Sequence, residues 1–400
     1  MTNKGIQRRD FIKLSVTGLS AATLFSSFTA FSSKSEKKSK NIIYRTLGKT
    51  GLKLPIVSMG AMRGENKNLI EAGLKLGIIH YDTAHVYQNG KNEEMLGEVL
   101  KNQKRKSYII ATKVVPEDMD RKSGELGSGA TAEAFLNKLD ISLQRLQLKQ
   151  VDILYIHSIS SRQAVLHPEM IKALKLAKEQ GKTRFVGIST HQNEPEVLEA
   201  MIEAGIYDVA LVAYNFKQDH RELLKATIDK AAKAGLGIVA MKTMAGGFLD
   251  KEKTKPINTI AALKWVLQDE NVCTSIPGFT SFNQLEESFS VMGDLAFSEQ
   301  EKRDMEFALQ TTGMYCNQCG QCLGQCSKNL PINDIMRAYM YTYGYSEASK
   351  GKELLTSLNL KTDPCSGCDT CTVSCTNNFA IANRIKDVTR VINVPNEFLV

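Results

Sequence analysis

The sequence predicts an α/β protein whose central part is a (β/α)₈ barrel and whose C-terminal part is a small cysteine-rich domain. Eight short β-branched runs alternate with helical stretches between residues 56 and 276, and eight of the nine cysteines fall into two identical spacings after residue 315. With 400 residues, 42% of them hydrophobic and 24% charged, the chain can form two or three domains, each with its own core.

The predicted strands are short and mostly apolar, and several of the segments between them have helical periodicity. Ala132, Phe135 and Leu139, for example, follow the i, i+3/i+4 spacing of an amphipathic helix. No G-x-G-x-x-G follows the first strand, so a barrel is favoured over an open dinucleotide-binding sheet. Tyr44–Leu54 is expected to form a hairpin that closes the bottom of the barrel. The eight strands are predicted at Ile56–Met59, Ile78–Tyr81, Tyr108–Thr112, Val151–Ile156, Thr183–Gly187, Val209–Ala213, Gly237–Met241 and Val272–Ile276.

The first 40 residues have the anatomy of an export signal and carry most of the net charge. They hold eight Lys/Arg and two Asp/Glu, whereas the whole chain has a net charge of +8, so nucleic-acid binding by the body is disfavoured. Arg8 and Arg9, with Phe11 and Lys13, resemble a twin-arginine signal, and a polar-studded apolar run follows. We therefore expect a leader at 1–40, periplasmic export without a stable membrane span after cleavage, and anchoring if the leader is retained.

Four side chains suited to carbonyl chemistry follow neighbouring predicted strands. Asp82, Lys113 and His157 stand directly after a strand, and Tyr87 shares the loop of Asp82. Barrel enzymes carry their chemistry at the C-terminal ends of the strands. Carbonyl reduction needs a proton donor, and a nearby ammonium makes a phenol a better one by lowering its pKa. We predict Tyr87 as the acid and Lys113 as its tuner. Asp82 would anchor Lys113, and His157 would orient the carbonyl.

These segments resemble the aldo-keto reductases, over roughly residues 43–290. The similar segments are Tyr44–Gly51, Asp82–Tyr87, Ala111–Lys113 and Asp152–His157. The resemblance implies a (β/α)₈ oxidoreductase that uses a nicotinamide dinucleotide, with the barrel at 41–298. Thr190, Leu211 and Ser288 depart from the residues common in the family, and NAD and NADP both remain open. The implied cofactor-binding residues are Ser189, Thr190, Tyr214, Asn215, Met241, Lys242, Thr243, Gly246, Gly247, Gly278, Thr280, Gln284, Glu287 and Ser288.

Both cysteine runs have the spacing C-x₂-C-x₂-C-x₃-C. Zinc sites usually pair two C-x₂-C knuckles, and cysteines this close together cannot all reach distant disulfide partners, so both alternatives are weaker. The spacing is that of bacterial ferredoxins, in which the fourth cysteine ligates the other cluster, although no proline follows it here. The resemblance implies a ferredoxin-like domain at 299–400 with two [4Fe–4S] clusters. Their ligand sets would be Cys316, Cys319, Cys322 and Cys375, and Cys365, Cys368, Cys371 and Cys326. Cys273, the ninth cysteine, is expected to be a packing residue.

Three functional hypotheses follow from the two halves together. The first is a nicotinamide-dependent enzyme for a small carbonyl or alcohol, whose clusters exchange electrons with a partner protein at the C-terminal domain or stabilise that domain. The second is an electron-transfer protein on a barrel with little turnover, and the third gives the clusters a structural role. Nicotinamides exchange two electrons as hydride and a [4Fe–4S] centre exchanges one, so the link between the halves is open. The tyrosine series 339, 341, 343 and 345 is expected to pack around the clusters or to form a partner surface.

Overall fold

The computed structural model describes residues 42–64, 66–120, 123–249, 255–310, 315–316, 318–360 and 362–399. The predicted leader at 1–40 lies outside these residues. Among the helices of the described ranges, none is both long and apolar enough to cross a membrane.

A two-stranded hairpin and an eight-stranded parallel barrel form the N-terminal part. The hairpin pairs β1 (Tyr44–Thr46) with β2 (Lys53–Pro55) in antiparallel register. The barrel strands follow one another in chain order around the sheet. Val57 bridges Ser275 and Gly60 bridges Gly278, which joins the first strand to the last and closes the barrel. The strands are β3 (Met59–Gly60), β4 (His80–Asp82), β5 (Ile109–Val114), β6 (Val151–Ile156), β7 (Thr183–Thr190), β8 (Val209–Ala213), β9 (Gly237–Met241) and β10 (Val272–Ser275).

Helices surround the barrel and build the C-terminal domain. Thr131 and Asn258 cap their helices by accepting a hydrogen bond from a backbone N–H three residues further on. The helices are α1 (Lys67–Leu76), α2 (Lys91–Leu100), α3 (Ala132–Leu146), α4 (Arg162–Val165), α5 (Pro168–Glu179), α6 (Glu194–Ala204), α7 (Arg221–Lys233), α8 (Thr259–Leu267), α9 (Phe282–Ser290), α10 (Glu299–Gln310), α11 (Ile332–Tyr339), α12 (Ala348–Ser357) and α13 (Ile381–Thr389). A π-helical turn, Met340–Gly344, extends α11.

The barrel interior is a packed core whose lower end the hairpin fills. Ile153, Val209 and Val239 are fully buried inside the barrel, and Leu47 and Leu54 of the hairpin belong to the same apolar cluster. Strands buried on both faces are continuous apolar runs, which is why the sequence predicts β6, β8 and β9 with their observed bounds. The fold class predicted from the sequence, a (β/α)₈ barrel with an N-terminal hairpin and a small C-terminal domain, is confirmed.

The first strand differs most from its prediction. Ile56–Met59 is expected from its apolar run, yet β3 comprises only Met59–Gly60. The preceding residues run beside β10 without forming a continuous ladder: the backbone N–H of Ser58 donates to the Ser275 carbonyl and that of Ser275 to the Ile56 carbonyl. Burial therefore makes this segment apolar even where it is not a regular strand.

The C-terminal domain has a core of its own. Ile335, Leu355 and Val388, one from each of its three main helices, are fully buried together. The preceding helix α10, which lies within the predicted span 299–400, packs instead against the barrel side, where Met305 and Ala308 contact the cluster that contains Phe216 and Ala261. The domain core thus begins after α10, at Tyr315.

Candidate active site

Three neighbouring strands carry Asp82, Lys113 and His157 to the C-terminal mouth of the barrel. Asp82 ends β4, Lys113 is the penultimate residue of β5, and His157 follows β6 directly. Since β4, β5 and β6 are adjacent and parallel, their carboxyl ends meet at one edge. The loop after β4 brings Tyr87 back to the same point, so the structure gathers all four residues that the sequence singles out.

The buried ammonium of Lys113 holds this group together. Its Nζ donates hydrogen bonds to the Asp82 carboxylate, to the Thr83 carbonyl at 2.7 Å and to the Tyr87 hydroxyl at 3.2 Å. Lys113 and Asp82 are 1% and 2% exposed. An ammonium has three N–H groups, and the three partners fix their directions.

Burial and charge act in opposite directions on these groups. Burial raises the pKa of Tyr87 more than the Lys113 charge lowers it, so that pKa lies above its ordinary value. Lys113 therefore does act in the predicted direction, but it does not make the phenol acidic overall. Burial lowers the pKa of Lys113, but Asp82 and Tyr87 outweigh it and leave that pKa raised. At neutral pH the phenol is protonated and the lysine charged.

His157 lies beside the tyrosine. Its backbone N–H donates to the Val114 carbonyl at 2.9 Å, which fixes the start of its loop, and the residue is 7% exposed. The imidazole and the Tyr87 ring meet edge to face with their centroids 5.8 Å apart. On the other side, the His191 ring centroid is 6.4 Å away. His157 and Tyr87 can thus approach one substrate oxygen together.

A second layer of polar contacts fixes the tyrosine loop. Thr83 donates through its hydroxyl to Asn92 Oδ1 at 2.6 Å, and Asn92 in turn donates to the Ala61 carbonyl at 2.7 Å. The fully buried Glu93 accepts from the Thr112 hydroxyl at 2.6 Å. Because these side chains are buried and satisfied, the loop that carries Tyr87 is held in place.

The four residues open onto a cavity of about 330 Å³ that the C-terminal domain covers. Tyr87, His157 and His191 line it from the barrel. Its roof consists of C-terminal side chains: Arg337, Tyr341, Tyr345, Lys350, Glu353, Leu354 and Ser357. Sequence reasoning misses this roof. The tyrosine series does signal the segment, and Tyr339 packs in the domain core as expected, but Tyr341 and Tyr345 also reach the cavity.

Polar contacts between the two parts hold the roof down. Arg63, after β3, donates through Nε to Glu347 Oε1 at 2.5 Å, and the Lys350 ammonium donates to the Met62 carbonyl at 2.9 Å. On the far side, Gln192 donates through Nε2 to Gln318 Oε1 at 3.1 Å. The C-terminal domain is thus tied to the barrel mouth on both sides of the cavity.

The residues expected to bind a dinucleotide divide into open and covered groups. Thr280, Gln284 and Glu287, on the adenosine side, are exposed, and Gly247 has open space around it. On the pyrophosphate side Gly246 is buried, and a side-chain carbon placed there would collide with the Tyr315 ring. The C-terminal domain therefore occupies the space beside the predicted phosphate loop.

The other expected cofactor residues are engaged within the protein. Tyr214 packs against Trp265 at a centroid distance of 5.2 Å, away from the cavity, and Asn215 donates to the Lys242 carbonyl at 3.1 Å. Ser189 accepts from the Ser158 backbone N–H. The set as arranged does not fit a dinucleotide lying across the mouth. Of the remainder, Thr190, Thr243 and Ser288 are buried, Gly278 lies beside Arg63, and Met241 and Lys242 line the cavity.

The eight C-terminal cysteines form two loose sets, each drawn from both runs. Within the described ranges, no group of three or more His, Cys, Asp or Glu side chains is positioned to hold a metal ion. Burial raises the pKa of Cys316 to about 12, and the neighbouring thiols of Cys322, Cys319 and Cys375 raise it too. Cys365 has a raised pKa by burial and by its neighbours Cys368, Cys371 and Cys326. These two sets of neighbours are the sets that the ferredoxin resemblance implies.

Hydrogen bonds tie the two runs together, and others reach the cysteine sulfurs themselves. Cys319 Sγ lies 3.8 Å from the hydroxyl of Thr376, the residue after Cys375. Gln325, just before Cys326, accepts from the Thr372 hydroxyl at 2.7 Å and from the Ser374 backbone N–H at 2.7 Å. The Gln318 N–H also donates to Cys316 Sγ at 3.3 Å. The donor set, eight cysteines, thus fits iron–sulfur clusters, which thiolates hold.

Comparison with known proteins agrees with this architecture. The profile of the aldo/keto reductase family matches residues 60–261, and that of the 4Fe-4S dicluster domain matches residues 315–380. The aldo-keto reductase AKR11C1 from Bacillus halodurans, solved in its holo form, shares the fold with a TM-score of 0.55 at 21% identity, over 69% of this chain and 99% of its own. The barrel fold and its sequence profile together define an oxidoreductase. The chain belongs to the aldo/keto reductase family, with a C-terminal 4Fe-4S dicluster domain added.

Two curated relatives match most of their own length. L-glyceraldehyde 3-phosphate reductase of Escherichia coli O157:H7 is 28% identical over 320 residues, which is 64% of this chain and 90% of the relative. L-galactose dehydrogenase of Arabidopsis thaliana is 30% identical over 295 residues, 63% of this chain and 88% of the relative. Both names describe oxidoreductases, as the family assignment requires.

The covered phosphate loop leads to a prediction about dinucleotide affinity. Glu347→Gln weakens the ion pair with Arg63 and so makes lifting of the roof easier. If lifting must precede dinucleotide binding, a destabilisation of about 1 kcal/mol lowers the apparent Kd for NADPH or NADH roughly fivefold. Titration calorimetry on the anaerobically purified protein measures this. Glu299→Gln, on the exposed side of α10, is the control and should leave the Kd unchanged. Equal Kd values for Glu347→Gln and the parent protein would contradict the claim that the C-terminal domain must lift before a dinucleotide binds.

Proposed function

We propose that this oxidoreductase interconverts a small carbonyl compound and its alcohol, with Tyr87 as the proton donor. The observation that supports the proposal most is the contact of the Lys113 ammonium with the Tyr87 hydroxyl, 3.2 Å apart at the floor of the covered cavity. Because the hydroxyl oxygen accepts from Lys113, its own hydrogen is free to be donated to a substrate oxygen.

Each of the four residues then has one task. In the reducing direction the carbonyl carbon gains a hydride and the oxygen takes the Tyr87 proton, which yields the alcohol. Lys113 stabilises the phenolate that is left, Asp82 keeps Lys113 charged and oriented, and His157 polarises the carbonyl. In the oxidising direction the phenolate of Tyr87 removes the alcohol proton.

The hydride partner that the family implies is NADP or NAD. The exposed adenosine-side residues favour this partner, whereas the covered Gly246 and Tyr214, which packs against Trp265, do not fit it in the closed arrangement. We therefore derive no step through a dinucleotide here. We propose that it enters after the C-terminal domain has moved from the mouth, and that the domain then returns over dinucleotide and substrate with Tyr315 shifted off Gly246.

We also propose two [4Fe–4S] clusters, held by the two cysteine sets that the ferredoxin resemblance implies. A bound cluster supplies one-electron exchange. The protein contributes burial around Cys316 and a backbone N–H that donates to its sulfur. The closed dinucleotide side favours a second candidate function, an iron–sulfur electron-transfer protein with little carbonyl turnover. A redox partner would dock on the outer side of this domain, where Cys368 and Cys371 are exposed.

Tyr87→Phe tests the proton donor. We expect the variant to lose about 10²- to 10⁴-fold in kcat for carbonyl reduction, because the ring remains and only the transferable proton is removed. Initial rates with an aldehyde panel, with NADPH, NADH and a dye-linked alcohol oxidation assay, measure the loss. Tyr44→Phe, on the exposed hairpin, is the matched control. A kcat for Tyr87→Phe equal to that of the parent protein would remove Tyr87 from the mechanism.

The pH dependence of alcohol oxidation follows from the pKa of Tyr87. Burial raises that pKa above its ordinary value, so the phenolate needed for oxidation forms only in alkaline solution. The rate should therefore rise with pH up to and beyond about 10. Lys113→Met removes the charge that lowers this pKa, so the rising part of the pH–rate profile of the variant should move to still higher pH. A pH–rate profile of the parent protein and of Lys113→Met tests this expectation. A rate that rises over the same pH range in the two proteins would contradict it.

Cysteine variants test the ligand sets. Cys375→Ala should remove the same cluster as Cys319→Ala, although the two residues lie in different runs. We expect both variants to lose about half of the bound iron and to give the same electron paramagnetic resonance spectrum after reduction. Cys273→Ala, in the barrel strand β10, is the control and should keep all of the bound iron. Matching spectra for Cys375→Ala and Cys368→Ala would instead assign each run to its own cluster.

We further propose that the leader directs export by the twin-arginine route. The paired Arg8 and Arg9 in a basic start before a mildly apolar run support this. Arg8→Lys with Arg9→Lys should abolish export with little change in net charge. Fractionation of a bacterial host, with the leader variant and the parent protein side by side, measures it. Unchanged periplasmic accumulation would refute the assignment.

A further inference from the structure

The cavity wall includes a buried lysine amino group that has no hydrogen-bond partner among the described residues. Lys242 follows β9 directly, with a left-handed backbone at φ +56°. Its Nζ has essentially no exposed surface and no partner within the described residues, although the residue as a whole is only partly buried. It lines the same cavity as Tyr87 and His157. A cation removed from water without a partner is unfavourable, so a ligand that supplies negative charge would be stabilised there.

Two further groups on this wall have unused donor or acceptor atoms. Arg337, 6% exposed, pairs through Nη1 with Asp334 at 3.2 Å, and its Nη2 donates to Gln318 at 3.4 Å, but its Nε has no partner in the described ranges. Among the residues that the structure describes, none is a partner of His191 Nδ1, and the His191 ring centroid lies 6.4 Å from that of His157. The wall formed by Lys242, Arg337 and His191 therefore adjoins the reacting end of the cavity.

We propose that Lys242 and Arg337, with His191, form an anion subsite for the substrate. It would hold a carboxylate or phosphate group while the reacting oxygen lies between Tyr87 and His157. This rests on the proposed function and deepens it by naming the substrate class. Arg337 comes from the C-terminal domain, so the subsite is complete only when that domain covers the barrel.

The size of the cavity and its approach agree with a small anionic substrate. A cavity of about 330 Å³ is at the lower end of ligand sites and takes a compact molecule. Outside it lies a groove of about 1060 Å³ lined by Lys67, Lys91, Lys350 and Lys352, with Glu353 as the one carboxylate that the described residues contribute to its lining. The groove and the cavity share Gln88, Lys350, Glu353 and Ser357. Such a positive approach raises the local concentration of anions.

Lys242 also has a cluster cysteine as a neighbour. A recess of about 30 Å³ is lined by Lys242, His191 and Cys316 together. Burial lowers the pKa of Lys242, and the charge of Arg337 lowers it further. Glu194, Cys316 and Asp334 raise it, and the resulting pKa is about 7. The competing assignment is therefore that Lys242 stabilises the negative charge of the Cys316 thiolate and does not bind a substrate. The experiment separates the two assignments.

The experiment compares anionic probes with neutral ones of similar shape on the anaerobically purified full chain. The pairs are succinic semialdehyde with butanal and glyceraldehyde 3-phosphate with glyceraldehyde, and inorganic phosphate is a probe that cannot react. Kd values come from titration calorimetry and KM and kcat from initial rates. We expect each anionic aldehyde to bind at least tenfold more tightly than its neutral counterpart. The carboxylate and phosphate pairs show which anion the subsite prefers.

Variants assign the effect to the residue. Lys242→Met should weaken binding of phosphate and of the anionic aldehydes at least tenfold and raise their KM by a much larger factor than that of the neutral aldehydes. The neutral aldehydes report any loss of dinucleotide binding, for which Lys242 is also an expected residue. Lys242→Arg should restore most of the anion preference, because it keeps the charge. Lys225→Met, on the exposed side of α7, should change neither class.

Each outcome decides between the assignments. If the anionic probes have the same Kd for the parent protein and for Lys242→Met, the proposed subsite is wrong. If Lys242→Met changes only the paramagnetic resonance spectrum of the clusters, Lys242 belongs to Cys316 and the subsite is wrong as well. If no aldehyde turns over and phosphate still depends on Lys242, the anion site stands while the proposed reaction fails. Turnover of neutral and anionic aldehydes with equal KM overturns the subsite and leaves the reaction standing.

Discussion

The ammonium of Lys113 is the charge on which the barrel mouth depends. It lies in the interior with 1% of its surface exposed, and one carboxylate, one carbonyl and one phenol satisfy its three N–H groups. Removing any one partner would leave a buried charge incompletely compensated, which costs more than the lost contact alone. The positions of Asp82, Thr83 and Tyr87 are thus coupled to one another through a single nitrogen atom.

The second constraint is that two parts of the chain enclose one cavity. The barrel supplies its floor and the C-terminal domain supplies its roof, with Arg63, Glu347 and Lys350 among the residues that join them. The same covering that completes the cavity also buries Gly246 beneath Tyr315. Small-molecule access and access to the phosphate loop are therefore controlled by one element, and an open position and a closed position of the domain would have different binding properties.

The sequence predicts the barrel well because its strands are apolar on both faces, and it predicts the candidate catalytic residues because they follow those strands. Lys113 and His157 stand out as ionisable residues at the ends of such runs. The roof could not be predicted in this way. Arg337 and Tyr341 lie on helical turns, and Tyr345 follows them directly. The pattern of these turns serves packing within the domain, and nothing in the spacing shows which surface each side chain faces. The side to which Tyr214 turns is likewise decided by Trp265, far away in sequence.

The attachment of the roof to the cysteine-rich domain has a consequence for the maturation of the protein. If iron organises that domain, a chain made under iron limitation keeps its barrel, because the barrel has a separate core, but presents an uncovered mouth. Metal supply would then determine the shape of the reaction chamber, and the polypeptide would acquire its selectivity for small molecules only after cofactor assembly.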